Sequence, residues 1–85
     1  MNDSENIKTE IRQFILKTSY VSEEILTNDT LIFAQGIMDS MGFMSLISFL
    51  DEHFHIKVND TELIESNFES VDAIGNYLKN KMNSN

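Results

Sequence analysis

The pair Asp39-Ser40, three residues after Gly36 and ahead of an apolar-rich run, gathers the groups of this sequence best placed to do chemistry. A hydroxyl in the first turn of a helix lies among backbone N–H groups without carbonyl partners, at the positive end of the helix dipole. Both features favour negative charge, so a phosphate ester on the Ser40 oxygen would be stabilised there. Asp39 adds a carboxylate, a hard ligand for any divalent cation that the modifying reaction needs. The same carboxylate suits the N-cap position of the helix, and the two roles are compatible. No base is paired with Ser40, so it reads as an acceptor awaiting another enzyme and not as a catalytic nucleophile. The chain has no cysteine, and any thiol must therefore arrive on a cofactor.

Other polar clusters are weaker. His53 and His55 straddle an expected helix end two residues apart, which is poor convergence for a metal, and surface histidines are the simpler reading. Asp60, Glu62 and Glu65 lack the glycine and the spacing of a calcium loop and read as a solvated face. Neither a metal site nor a catalytic set is expected.

The elements that must hold Asp39-Ser40 can be read from periodicity. Ile7, Ile11, Phe14 and Ile15 form one stripe of a helix over about 4–18, with Asp3 or Ser4 able to cap it. Residues 19–39 form a long loop rich in turn formers, in which Val21, Ile25, Leu26, Leu31, Ile32 and Phe33 are expected to reach the core. Gly36 breaks the chain direction, and Asp39 then caps a second helix over about 40–54. Leu46, Ile47, Leu50 and Phe54 make its core face, with Phe43 beside them and with Met41, Met44 and Phe49 pointing elsewhere. One small domain can hardly bury a helix so apolar around its circumference, so part of it either lies deep or meets a partner. Asn59 and Glu62 resemble a cap and its N3 partner for a short helix over about 60–65. Ser70 caps the last helix, about 70–82, with Val71, Ile74, Tyr77 and Leu78 on one face. The expected fold is all-α: a four-helix bundle of three longer helices and one short one, forming a single domain over 1–85.

Charge is unevenly distributed. Of 14 acids and 6 bases, the stretch from Thr18 to Leu78 holds eleven acids and only Lys57 as a base. That field repels nucleic acid and anionic membrane and steers basic partner surfaces toward the middle of the chain, although it also simply keeps a small domain soluble. The polar N-terminus and the lack of a long apolar run point to a soluble cytoplasmic protein rather than a membrane protein.

Several separated motifs resemble the acyl and peptidyl carrier protein family, over nearly the whole chain. They are Gly36-Ile37-Met38-Asp39-Ser40-Met41, then Leu46-Ile47 and Leu50-Asp51-Glu52-His53-Phe54. Asp29-Thr30-Leu31 upstream and Asn67-Phe68-Glu69-Ser70-Val71-Asp72-Ala73-Ile74 downstream agree in order and spacing.

The resemblance implies an acyl-carrier-like four-helix fold and a 4′-phosphopantetheine arm esterified to Ser40 by a separate phosphopantetheinyl transferase (holo-ACP synthase). It implies a monomeric, non-catalytic carrier that shuttles an acyl or aminoacyl thioester between enzymes of a fatty-acid, polyketide or specialised pathway. Asp39 would correspond to the residue associated with magnesium during arm transfer. Met41 and Met44 would belong to the partner-facing surface, although on residue type alone a core position is the favoured reading. Asp51 and Glu52, with Glu62, Glu65 and Glu69 as further candidates, would meet basic docking surfaces on loading and biosynthetic enzymes. Family members of fatty acid synthesis usually carry acids where this chain has Gly42 and Ser45, and the Asp-Ser-Met-Gly string is closer to discrete carriers of specialised pathways. The alternative of a different class is an unmodified interaction module that docks a regulatory partner through the second helix.

Overall fold

The computed structural model describes residues 3–83. The chain folds as an all-α bundle: α1 (Asp3–Thr18), α2 (Ser40–Phe54), α3 (Glu65–Phe68) and α4 (Val71–Asn83), with a 3₁₀ turn at Asp60–Glu62 before α3. The expected cap of α1 by Asp3 or Ser4 rests on side chains outside the described ones. No described helix is long and apolar enough to cross a membrane.

The apolar stripes meet as their spacing requires. Ile7, Ile11 and Ile15 of α1 are buried against α4, where Val71, Ile74, Tyr77 and Leu78 form the facing stripe. Gly75 lets the two helices close up, because a Cβ there would lie 3.1 Å from Lys8 Cγ. The Lys8 stem crosses that glycine and its ammonium reaches Asp72 at 3.0 Å. Ser70 caps α4, its Oγ accepting from the Ala73 N–H at 3.1 Å.

Helix α2 buries Leu46 and Leu50. Phe49, expected to point away from the core with the two methionines, is instead half-buried and stacked on Phe14 of α1, with centroids 4.4 Å apart and planes at 17°. The reason is that α1 crosses α2 on that side, so the apolar circumference of α2 meets two neighbours. His55 ends α2 in the left-handed region at φ 56°.

The loop over 19–39 is a series of single turns pinned at a few points. Ile32 N–H donates to the Glu69 carbonyl at 2.9 Å, and Asp72 N–H donates to the Asn28 carbonyl at 2.9 Å. The Arg12 guanidinium donates to the Leu26 carbonyl. Leu26 and Ile32 are fully buried, whereas Ile25 is 62% and Leu31 43% exposed. A tight turn can direct only one of two adjacent side chains inward, which is why two of the six expected anchors, Ile25 and Leu31, face solvent.

The expected short helix over 60–65 is broken in two. Glu62 accepts from the Asn59 N–H at 3.0 Å, closing the 3₁₀ turn. Leu63, at φ −80° and ψ 63°, then makes an inverse γ-turn with Ile64 N–H donating to the Glu62 carbonyl at 2.8 Å. That turn ends the first piece, and α3 starts afresh at Glu65.

Candidate functional site

The approach to Ser40 is built by one turn and its terminator. Gln35 N–H donates to the Leu31 carbonyl at 2.9 Å, and Gly36 ends the turn at φ 72°. Gly36 and Ile37 N–H groups donate to the carbonyls of Phe33 and Ile32, the paired bonds of a Schellman ending. An added Cβ on Gly36 would meet nothing within 4 Å, so the glycine answers to conformation and not to space. Met38 then drops into the core and leaves Asp39 and Ser40 on the surface.

Asp39 is extended, at φ −106° and ψ −170°, and its carboxylate accepts from the Gly42 N–H at 2.9 Å. Its carbonyl accepts from Phe43 N–H at 2.8 Å, the first helical bond of α2. Ser40 is therefore the first helical residue, and its hydroxyl is not used as the cap. The exposed side chain stands where the N–H groups of Ser40 and Met41 lack a carbonyl one helical turn back. Gly42 makes room for this arrangement: a Cβ there would lie 2.8 Å from Met38 Cγ and 3.4 Å from Asp39 Oδ1.

Two clefts flank Asp39. The smaller, about 300 Å³, opens at Ser40 and is walled by Phe33, Met38, Phe43, Leu63 and Glu65. The larger, about 530 Å³, lies on the opposite side toward Tyr20, Ile25 and Gln35 and does not touch Ser40. An exposed hydroxyl at a helix start beside an apolar cleft fits a phosphate ester that continues into a partly apolar chain.

Of the residues the sequence singled out for partners, Met41 is 79% and Met44 59% exposed, within about one turn of Ser40. Asp51 and Glu52 are exposed too, but lie about 15 Å farther along α2 at 1.5 Å per residue. Glu62 is committed internally. Its Oε1 accepts from Lys81 Nζ at 2.8 Å and from Tyr77 OH at 2.9 Å, in addition to the Asn59 N–H. The bond from Lys81, then that from Asn59, hold its carboxyl down at about 2. Burial and the Glu62 partner push the Tyr77 phenol above its ordinary range. His53 pairs with Glu10 and stacks on Phe49 at 5.0 Å, so it helps join α1 to α2. Glu65 remains exposed at the cleft. Sequence reasoning missed the cleft itself, because Phe33, Phe43 and Leu63 come from three separate segments.

Residues 9–78, which include Asp39 and Ser40, match the family described as phosphopantetheine attachment site. The chain is also 29% identical over 75 residues to the acyl carrier protein of Buchnera aphidicola subsp. Baizongia pistaciae (strain Bp), an overlap of 88% of this chain and 94% of that protein.

Proposed function

The chain belongs to the phosphopantetheine attachment site family, and from that premise we propose that it is a discrete acyl carrier protein modified at Ser40. A phosphopantetheine arm supplies the thiol that this cysteine-free chain lacks, and an acyl or aminoacyl group rides on it as a thioester. The chain's own contribution is positional. Ser40 presents its oxygen at the surface; the first turn of α2 favours the phosphodiester's negative charge. Asp39 fixes the start of the helix and faces the magnesium that a transferase would bring. The carrier itself performs no catalysis and works in the cytoplasm as a monomer, visiting its transferase, its loading enzyme and the enzymes that use its cargo.

Partner docking is assigned to Met41 and Met44 beside Ser40, with Asp51 and Glu52 at the far end of α2. A flexible thioether repacks against different surfaces. The absence of acids at positions 42 and 45, with Gly42 answering to Met38 packing, favours a specialised pathway over central fatty acid synthesis.

The observation that carries the reading is the exposure of Ser40 as the first residue of α2 with its hydroxyl outside the cap. Incubation with coenzyme A, magnesium and a broad-specificity phosphopantetheinyl transferase should add one arm by intact mass spectrometry. The Ser40→Ala protein should stay unmodified. A wild-type mass that does not rise would defeat the proposal.

A further inference from the structure

We propose that Met41 and Met44 form a reversible oxidation site, at which a peroxide converts both thioethers to sulfoxides and weakens docking at the Ser40 end of α2. The inference rests on the reading of Ser40 as the attachment point and of the two methionines as partner contacts.

Access comes first. Of the five methionines, Met1 lies outside the described residues and the other four differ in exposure. Met41 and Met44 are the most exposed, Met82 on α4 is 41% exposed, and Met38, packed in the core, only 7%. The neighbours about one turn along α2 explain the difference. Met41 has Met44 and Ser45 at that spacing, and Met44 has Ser40, Met41, Ile47 and Ser48. Apart from each other and the half-buried Ile47, only serines stand beside them, and Gly42 adds no side chain between them. Met44 also lines an open groove of about 430 Å³ with Phe14, Ser45, Ser48, Phe49 and Glu52, large enough for a molecule the size of a peroxide.

Chemistry selects the oxidant. Hydrogen peroxide is uncharged, so the net charge of −8 does not repel it as it would an anionic oxidant. The chain has no cysteine, and its thioethers are therefore the sulfurs an oxidant meets before the arm is attached. The sulfur lone pair attacks one peroxide oxygen and the O–O bond breaks. The other oxygen leaves as hydroxide and takes the proton of the transferred oxygen to become water. Sulfur is oxidised by two electrons and the peroxide is reduced by two. An S=O dipole then stands where a partner's apolar surface would press, and burying it without a hydrogen bond opposes docking. Reductases return each sulfoxide epimer to the thioether, which makes the change reversible.

The test treats apo protein with hydrogen peroxide and maps the added oxygens by peptide mass spectrometry. Arm transfer from coenzyme A by the transferase is measured once the peroxide is removed. Oxygen should appear at Met41 and Met44 ahead of Met82, and at Met38 last, with the far-ultraviolet circular dichroism unchanged. Protein carrying both sulfoxides should show a kcat/KM for transfer about tenfold below that of untreated protein, mainly through KM. Sulfoxide reductases should restore it. Each variant is compared with its own untreated rate. Met41→Leu/Met44→Leu should lose nothing to peroxide, and Met82→Leu should lose as much as wild type. Untreated protein that takes no arm overturns the attachment reading and the switch with it. Transfer at the untreated rate with both sulfoxides in place overturns the switch alone. Oxygen at Met38 first, or loss of helix signal on treatment, overturns the site.

Discussion

Replacing Asp39 in two ways separates the roles that converge on it. The carboxylate accepts from Gly42 N–H at 2.9 Å at an exposed helix start. Losing such a cap costs about 1 kcal/mol, within a range of about 0.5–2. The negative charge near the helix N-terminus adds about 0.3–1 kcal/mol at low ionic strength, and salt screens that part. Asp39→Ala removes both contributions. Asp39→Asn keeps an acceptor oxygen of equal capping rank and removes only the charge. In a domain of this size about 1 kcal/mol corresponds to roughly 4–8 °C in Tm. Thermal unfolding followed by circular dichroism should therefore place Asp39→Ala roughly 5–15 °C below wild type at low ionic strength. Asp39→Asn should fall only slightly below wild type at low salt and match it at high salt.

Arm transfer should order the variants differently. If the carboxylate faces magnesium, Asp39→Asn should be as poor an acceptor as Asp39→Ala despite its near-native stability. Two results would refute the reasoning. An Asn variant as unstable as the Ala variant would mean that the cap does not hold the start of α2. An Asn variant modified as fast as wild type would reduce Asp39 to a cap.

Further perturbations test the framework around the site. Gly36→Ala forces a Cβ into the left-handed region at φ 72° and should cost about 1–2 kcal/mol in urea unfolding, with Gly36→Asn milder. Phe49→Ala removes a half-buried ring stacked on Phe14 and should cost about 2 kcal/mol, less than the roughly 3–5 of a fully buried phenylalanine, by the same measurement. The Glu62 carboxyl is held at about 2, below its ordinary 4.5, so its stabilising contribution is present above pH 4.5. It should be lost as pH falls from there through about 2. The Tm difference between wild type and Glu62→Gln should thus be full at pH 6 and fade over that window, as measured by thermal unfolding at a series of pH values.

Much of this framework was legible because the signals are local. The stripe Ile7-Ile11-Ile15, the caps Asp39 and Ser70, and the break at Gly36 each lie within a few residues of what they control. The misses involve partners distant in sequence or single dihedrals. Nothing near Phe49 announces Phe14, and nothing near Glu62 announces Tyr77 and Lys81, fifteen and nineteen residues on. The break at Leu63 depends on one γ-turn, a choice that helix periodicity does not encode. Ile25 and Leu31 were misplaced because composition shows that a loop needs anchors without showing which neighbour of a pair will serve. The cleft at Ser40 was invisible for the first of these reasons, since its walls come from the loop, α2 and the segment before α3.

The pattern of charge acquires a sharper meaning once the bonded acids are set apart. Glu62 is held by Lys81, Asp72 by Lys8, and Glu10 by His53, and each pair joins separate elements of the bundle. Lys8 and Lys81, one base from each end of the chain, are thereby drawn into pairs within the bundle. Meanwhile no lysine or arginine lies between Lys17 and Lys57, the span that contains Ser40, Met41, Met44, Asp51 and Glu52. That span carries six acids (Glu23, Glu24, Asp29, Asp39, Asp51 and Glu52), so its own charge is negative. Exposed pairs contribute only about 0–1 kcal/mol each and are screened by salt. Such a field speeds encounter with a basic partner without making the complex long-lived. That is the balance the proposed carrier role needs.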